Sequence, residues 1–229
     1  TAKLYTDISH ITADTALTTD MEHVFVHLAS QSRLPRLSKL WMAPFHLHRN
    51  LVARIDALGK AAEKGRSCRI VAKMNALTDD ALIASLMRAG RSGVKIDLIV
   101  RGACMLPAQV PGHTDNIRVR SIIGRLLEHS RVFYFREGEV EDLYLSSADW
   151  MNRNMVRRVE LAWPVTDEQQ KRRIVDECLV AYLHDTVDAW ELGPDGTYSR
   201  ITQDNKPAHG AQAALMARYG RASRAQGGV

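Results

Sequence analysis

The sequence lacks any long apolar run and any apolar N-terminal segment. No stretch of the 229 residues approaches the about 18–20 consecutive apolar residues that a membrane-spanning helix needs. The first seven residues, Thr1 to Asp7, contain no apolar core of the kind that defines a secretory signal peptide. We therefore expect neither a transmembrane segment nor a signal peptide. An initiator Met is also missing, so we expect a fragment or a processed chain.

Cysteine is scarce as well. Cys68, Cys104 and Cys178 lie far apart and form neither a CxxC pair nor a Cys/His spacing typical of metal ligands. An odd, sparse set of cysteines excludes a disulfide framework and is typical of a reducing compartment. We therefore predict three unpaired thiols, a cytoplasmic location and no metal site within this chain.

Basic residues are only modestly in excess over acidic ones, which gives a net charge of +5. The last 38 residues, from Leu192, hold five basic and two acidic residues, so the tail carries most of this excess. Such a distribution gives little support to a nucleic-acid-binding surface, and no nucleic acid is expected as a partner. Arginines are more densely clustered between residues 117 and 136, where Glu128 is the single acidic residue. Arginine favours bidentate binding of phosphate, although a solvated basic face would have the same composition.

The apolar pattern predicts a β-α-β-α-β order from Leu40 to Val100, which is typical of parallel strands with flanking helices. A capping box at residues 19–22 predicts an earlier helix that ends near residue 32. Four further strands are predicted at 117–122, 130–135, 142–146 and 158–165, followed by a long helix over 167–190. We predict an α/β fold with a mixed central sheet, followed by a mostly mobile tail over 193–229.

Polar residues follow two of the predicted parallel strands. Lys73 and Asn75 come after one strand, and Arg101 follows the next. Because ligands of open α/β sheets bind at the carboxyl ends of parallel strands, these side chains favour an anionic ligand there.

A histidine at the start of a predicted strand is the strongest chemical signal. Residues i and i+2 of a strand share a face, so His129 and Arg131 are expected to project together, with Phe133 beneath them. The string Ser-Ser-Ala-Asp-Trp-Met-Asn-Arg-Asn follows at residues 146–154. This H-x-R…S-x-D-W-M-x-R-N arrangement is a variant of the phospholipase D-type H-x-K…G-S-x-N signature. Here Arg131 stands in place of Lys, Asp149 in place of Asn and Ser146 in place of Gly.

Several longer segments extend this likeness, and the chain closely resembles the C-terminal, phospholipase D-like region of type 1 polyphosphate kinase from Thr1 to about Tyr198. The matching segments are residues 1–7, 72–77, 94–102, 116–122, 127–131 and 147–151. The resemblance implies a phospholipase D-like domain at 40–192, preceded at 1–39 by the closing segment of a second such domain.

The activity that the resemblance implies is reversible transfer of the γ-phosphoryl group of ATP to polyphosphate through a phosphohistidine. That histidine lies in a His-Pro-Tyr motif which is absent here, so the fragment alone is expected to be inactive. ATP or ADP with Mg²⁺ are the implied ligands, with the metal ligands outside this chain. The full-length enzyme is expected to be a cytoplasmic homo-oligomer, and peripheral attachment to the inner membrane face is an open alternative.

The resemblance also assigns individual residues. Tyr5, Arg101 and His129 match the nucleotide-contacting tyrosine, arginine and second histidine of the family, whereas Arg158 and Glu160 match positions that line the same tunnel. Tyr5 could stack on a purine or pack as a strand aromatic. Arg101 and Arg158, with Arg131 beside the histidine, would neutralise phosphate oxygens. His129 would donate to a phosphoryl oxygen, and Glu160 would accept from the missing histidine and fix its tautomer.

Two other function classes stay open at this point. A phospholipase D-type phosphodiesterase or nuclease would need a second H-x-K half, which only dimerisation could supply. A non-catalytic polyanion-binding module would need no histidine chemistry, because charge alone binds phosphate chains.

Overall fold

The computed structural model describes residues 4–201 and 208–226, with side chains up to residue 220. In this part of the chain, the strands are β1 (Tyr5–Thr6), β2 (Trp41–Ala43), β3 (Cys68–Met74), β4 (Lys95–Val100), β5 (Ile117–Ile122), β6 (Leu127–Glu128), β7 (Arg131–Glu137), β8 (Val140–Ser146), β9 (Glu160–Pro164), β10 (Ala189–Leu192) and β11 (Tyr198–Arg200). The helices are α1 (Thr15–Ser30), α2 (Leu47–Glu63), α3 (Asp80–Arg91), α4 (Asn152–Val156), α5 (Glu168–Ile174), a π-helical segment (Val175–Val180), α6 (Ala181–Leu183) and α7 (Ala211–Gln226).

The described strands form one nine-stranded sheet and one small two-stranded sheet. The large sheet has the order β11-β10-β5-β4-β3-β7-β8-β9-β2, in which β3, β4 and β5 are parallel and every other pair is antiparallel. The small sheet pairs β1 with β6 in parallel. The predicted fold class, α/β with a mixed central sheet flanked by helices, is therefore confirmed.

Side chains alternate between two cores on the faces of the large sheet. In β3, Ile70 and Ala72 pack into a core with α2 and α3, whereas Val71 between them packs into a second core with Leu179 and Tyr182. This alternation follows from the two-residue repeat of an extended strand. Helices thus cover both faces of β3 and β4, so a polar site can form only where these strands end.

The first helix begins earlier than the sequence pattern predicted. Asp14 caps α1 by accepting hydrogen bonds from the backbone N–H groups of Ala16 and Leu17, both at 3.0 Å. The predicted start at residues 19–22 was therefore wrong. Within α1, Val24 is buried but Phe25 is 64% exposed. An aspartate that caps the helix a turn earlier satisfies the free N–H groups equally well, so local patterns did not distinguish the two starts.

The predicted long helix and the expected tail also differ from the structure. The helical run that starts at Glu168 ends at Leu183, and β10 then pairs with β5. The tail was expected to be mostly mobile, but its described residues include β11 and α7, and Ala211 is fully buried. Helix α7 has a weak apolar pattern because few of its residues meet the core. Within the described residues, no helix combines the length and apolarity needed to cross a membrane.

A buried carboxylate joins α1 to the segment that leads into β2. Asp20 is 3% exposed and accepts hydrogen bonds from the backbone N–H groups of Ser38, Lys39 and Leu40 at 2.7–3.0 Å. Burial alone would raise the pKa of the Asp20 carboxyl, but these N–H groups, led by that of Leu40, outweigh burial and lower the pKa below its ordinary value. Asp20 therefore fixes the approach of α1 to the sheet.

We predict that Asp20→Asn lowers the free energy of unfolding by about 3 kcal/mol at pH 7, because a hydrogen-bonded carboxylate is replaced by an amide whose NH₂ group faces backbone donors. A lowered native pKa adds stability above the unfolded pKa of about 3.9, and that contribution is lost as the pH falls below it. Urea unfolding from pH 7 to pH 3 should show the native chain converging on the variant at the acidic end.

The matched control is Asp195→Asn, which changes an exposed aspartate bonded only to Thr197 nearby in sequence. Its unfolding curve at pH 7 should coincide with that of the native chain, because solvent surrounds this carboxylate in the folded chain as well. A difference between native chain and Asp20→Asn that does not depend on pH would contradict the assigned role of the carboxylate.

Candidate functional site

The candidate residues collect at one edge of the large sheet. Strand register places Met74 beside Val100, Lys73 beside Val132, and Arg131 beside Ser146. The carboxyl ends of β3, β4 and β8 therefore lie at the same edge as the starts of β7 and β9. This edge carries Arg101, Arg131, Arg158 and Glu160, together with His129 just before β7.

The two-stranded sheet positions His129. The backbone N–H of His129 donates to the carbonyl oxygen of Thr6 at 3.1 Å, which extends the pairing of β1 with β6. The Tyr5 ring meets the His129 ring edge to face, with 4.9 Å between their centroids. Tyr5 is 37% exposed, so part of its ring remains available to a ligand.

The imidazole of His129 contacts a carboxylate and a guanidinium. Its Nδ1 lies 2.9 Å from Asp7 Oδ2, and Arg131 Nη1 lies 3.5 Å from Nδ1 and 3.4 Å from Nε2. A carboxylate can only accept, so Nδ1 carries the proton and the lone pair of the neutral ring is on Nε2. Nε2 is thereby the atom available for proton exchange, and the side chain is 32% exposed. The prediction that His129 and Arg131 share a face is confirmed.

Arg131 is held by Asp149 in a paired, two-point contact. Arg131 Nε donates to Asp149 Oδ1 at 3.1 Å, and Nη2 donates to Oδ2 at 3.0 Å. Asp149 also accepts from the backbone N–H of Asn75 at 2.7 Å, which fixes the end of β3. Arg131 and Asp149 both depart from the H-x-K…G-S-x-N signature, in which Lys and Asn stand at these positions. The two departures are therefore linked, since a guanidinium and a carboxylate form a planar bidentate pair. Phe133 lies beneath, buried against Trp150.

Tyr5 and Arg101 line one cavity of about 300 Å³ that also includes Arg125. The structure thus brings Tyr5, Arg101 and Arg125 to one cavity, and these residue types can bind a base and its phosphates. Arg101 follows β4, and its carbonyl oxygen accepts from the Ser121 hydroxyl at 2.8 Å. This contact ties the backbone of Arg101 to β5.

Glu160 is the centre of a second cluster. It is 4% exposed and accepts hydrogen bonds from Ser147 Oγ at 2.5 Å and from Asn154 Nδ2 at 2.6 Å. It also forms an ion pair with Arg158, whose Nε lies 3.3 Å from Glu160 Oε1. Arg158 is half exposed and can turn toward a ligand. In residues 4–201 and 208–226, no hydrogen bond or ion pair joins this cluster to His129.

Lys73 does not present a free cation to the site, which corrects the expectation from the strand-end pattern. Its ammonium lies 2.5 Å from Glu128 Oε2 and 3.7 Å from the centroid of the Tyr182 ring, and the side chain is 3% exposed. Burial and, after it, the charge of Glu128 raise the pKa of Tyr182. Asn75 is also buried, and in the described part of the chain its side-chain amide has no hydrogen-bond partner.

Sequence reasoning missed the partners that hold the candidate residues. Asp7 lies in the matching segment at residues 1–7, and Asn154 ends the string at 146–154, but neither was given a role. Both were visible as polar residues in a matched motif. Glu128 directly precedes the histidine, yet no local signal indicated that it neutralises Lys73.

Comparison with known proteins places this arrangement in a family. The family model "Polyphosphate kinase C-terminal domain 2" matches residues 40–212. A curated polyphosphate kinase from Burkholderia cenocepacia (strain HI2424) is 47% identical over 96% of this chain, and one from Paraburkholderia phytofirmans is 48% identical over 96%. The chain belongs to the polyphosphate kinase family.

A solved structure supports the same conclusion. The crystal structure of polyphosphate kinase from Porphyromonas gingivalis superposes with a TM-score of 0.87 at 33% identity, over 94% of this chain and 33% of that one. The chain spans about a third (32%) of the length of the curated relatives it matches.

We predict that Arg131 and Asp149 act as one unit in the free energy of unfolding. Their side chains are only 13% and 12% exposed, so removing either partner leaves the other charge buried. In a double-mutant cycle with Arg131→Ala and Asp149→Ala, measured by urea unfolding, we expect a coupling energy of about 2 kcal/mol.

The control cycle uses Arg88 and Asp56, whose side chains are 51% and 34% exposed. Water screens that pair, so its coupling should stay below about 1 kcal/mol. Equal coupling in the two cycles would contradict the assignment of Arg131 and Asp149 as a buried bidentate pair.

Proposed function

We propose that the chain is the C-terminal catalytic-region part of an ATP:polyphosphate phosphotransferase. In the reaction, the γ-phosphoryl group of ATP passes reversibly to polyphosphate through a phosphohistidine that lies outside this chain. The observation that carries the proposal is the setting of His129, which lies between Asp7 and Arg131 and against the ring of Tyr5. Membership of the polyphosphate kinase family supports the same reaction.

The role of His129 in this proposal is proton transfer at Nε2. Asp7 holds the proton on Nδ1 and stabilises the imidazolium when Nε2 also takes a proton. A protonated Nε2 can then donate to an oxygen of the transferring phosphoryl group. Arg131, fixed by Asp149, adds positive charge beside this nitrogen.

The roles of Arg101 and Arg158 are to neutralise phosphate oxygens at the sheet edge. Phosphoryl transfer depends mainly on positioning and on charge stabilisation, so cations in fixed places are the main contribution of the protein. Tyr5, beside Arg101 in one cavity, would contact the base of the nucleotide. Glu160 would accept from the nucleophilic histidine, with Ser147 and Asn154 fixing its carboxylate.

Magnesium accompanies the nucleotide in this proposal, but the described residues do not fit a metal site of their own. They contain no group of three His, Cys, Asp or Glu side chains close enough to hold a metal ion. Asp149 and Glu160 are already engaged by Arg131, Asn154 and Arg158. The proposal therefore assigns no metal ligand to this chain. It places the intact protein, as a homo-oligomer, in the cytoplasm.

The first test replaces the histidine in the intact protein. A positioned acid or base contributes about 10²–10⁴-fold, so we expect His129→Ala to lower polyphosphate synthesis from ATP by a factor in that range. His113→Ala, at an exposed histidine in a turn, is the matched control and should leave the rate within about twofold. A loss below tenfold for His129→Ala at unchanged Tm would make His129 a structural residue.

A companion measurement addresses the covalent step. The 229-residue chain incubated with labelled ATP should carry no acid-labile label, because the nucleophile lies outside it. Stoichiometric labelling of His129 would overturn its assignment as acid or base. Hydrolysis of a simple phosphodiester by the chain would instead favour the phosphodiesterase alternative.

The second test asks whether the sheet edge binds polyphosphate. Each charge-assisted phosphate contact contributes about 1.5–3 kcal/mol, so Arg101→Ala combined with Arg158→Ala should weaken binding at least tenfold in a titration at about 0.15 M salt. The charge-matched control combines Arg66→Ala with Arg88→Ala. Arg66 precedes β3 and thus lies at the opposite edge of the sheet, and Arg88 lies on α3.

The control pair should change the affinity less than threefold. Equal weakening by both pairs would show that overall charge, and not the sheet edge, binds the anion. A stronger affinity for DNA than for polyphosphate at the same salt concentration would favour the polyanion-binding alternative.

A further inference from the structure

The C-terminal helix places one buried glutamine against the segment that precedes His129. Gln212, in the first turn of α7, is 2% exposed. Its Oε1 accepts from the backbone N–H of Leu126 at 2.8 Å, and its Nε2 donates to the carbonyl oxygen of Leu126 at 2.8 Å. The same Nε2 lies 2.6 Å from Glu128 Oε1. One side chain thus satisfies both backbone groups of Leu126 and a carboxylate two residues later.

The position of Gln212 is itself fixed from two directions. The backbone N–H of Ala211 donates to Asp185 Oδ2 at 2.6 Å, and Asp185 is 1% exposed. A buried carboxylate at the first N–H groups of a helix sets where the helix begins. On the other side, Gly124 leaves room for the amide, since a Cβ built there would lie 2.6 Å from Gln212 Oε1.

Glu128 carries this constraint to the histidine. Its Oε2 accepts from Thr6 Oγ1 at 2.7 Å and from Lys73 at 2.5 Å, so both carboxylate oxygens are occupied. Thr6 in turn accepts the backbone N–H of His129 through its carbonyl oxygen. The backbone on both sides of Glu128 is therefore held, and the next residue along the chain is His129.

We propose that Gln212 is a positioning residue, which holds the 126–128 segment through Leu126 and Glu128 and thereby sets His129 against Asp7 and Arg131. The consequence for catalysis rests on the function proposed above, whereas the consequence for the segment does not. Since phosphoryl transfer depends on placement, a small displacement of His129 lowers kcat more than it changes nucleotide binding. Helix α7 is then part of the transfer site through Gln212, which holds the segment before His129.

The test compares Gln212→Ala with the native residue in the intact protein. Amide hydrogen exchange in a peptide covering residues 125–130 should accelerate at least tenfold, because the Leu126 N–H loses its acceptor. In polyphosphate synthesis, kcat should fall at least tenfold. Because Leu126 and Leu127 also line the cavity that holds Tyr5 and Arg101, the KM for ATP should rise as well, but by a smaller factor than the fall in kcat.

The matched control is Gln109→Ala. Gln109 also donates from its amide to a backbone carbonyl, that of Leu192 at 3.0 Å, and it lies outside the 126–129 segment. This control should leave the exchange of residues 125–130 unchanged and lower kcat less than twofold.

A second variant displaces the side-chain amide of Gln212 without replacing that residue. Gly124→Ala puts a methyl carbon 2.6 Å from Gln212 Oε1 and 2.7 Å from Asp188 Oδ2, so the ends of both side chains must move away. Gly124→Ala should therefore reproduce both effects of Gln212→Ala, including the loss in kcat. It also keeps the proposal testable if Gln212→Ala fails to fold.

The readouts separate this inference from the proposed function. An intact protein without transfer activity contradicts the proposed function, and the exchange of residues 125–130 still decides whether Gln212 holds the segment. Unchanged exchange in both variants overturns the inference. So does a loss in kcat no greater than that of Gln109→Ala.

Discussion

The carboxylate of Glu128 joins four parts of the chain at one buried point. It accepts from Lys73 on β3, from Thr6 on β1 and from Gln212 on α7, while its own backbone belongs to β6. A buried ion pair is stable only when its remaining hydrogen-bonding capacity is satisfied, and losing one partner costs about 3–5 kcal/mol. The surrounding elements are therefore constrained to one arrangement. The site depends on this arrangement because His129 follows Glu128 directly.

The charges at the sheet edge divide into those that hold the structure and those left for a ligand. Lys73 and Arg131 are mostly buried and paired with carboxylates, so they contribute mainly by fixing their neighbours. Arg158 is half exposed, and Arg101 lines an open cavity with Tyr5.

Much of the fold followed from local patterns, and the exceptions have physical reasons. The strands later observed as β3, β4, β5, β7, β8 and β9 were predicted within a few residues, because each carries apolar side chains on a buried face. Helix α7 was missed because, among its described side chains, full burial is confined to Ala211 and Gln212, so its apolar pattern is weak. At the site, the shared face of His129 and Arg131 was predicted from the strand repeat. The pairing of Arg131 with Asp149 was not, because the two meet through the register of β7 and β8.

The family and the mixed sheet could be predicted from the sequence alone, and so could the shared face of His129 and Arg131. These follow from interactions within a strand or a motif, where spacing alone places side chains on a face. The folded structure was needed to show that Lys73 is paired with Glu128, that Asp7 contacts His129 and that Gln212 reaches Leu126. Each of these contacts joins residues far apart in the chain. The free energy of such a contact depends on burial and on the partner, and neither is present in the local sequence.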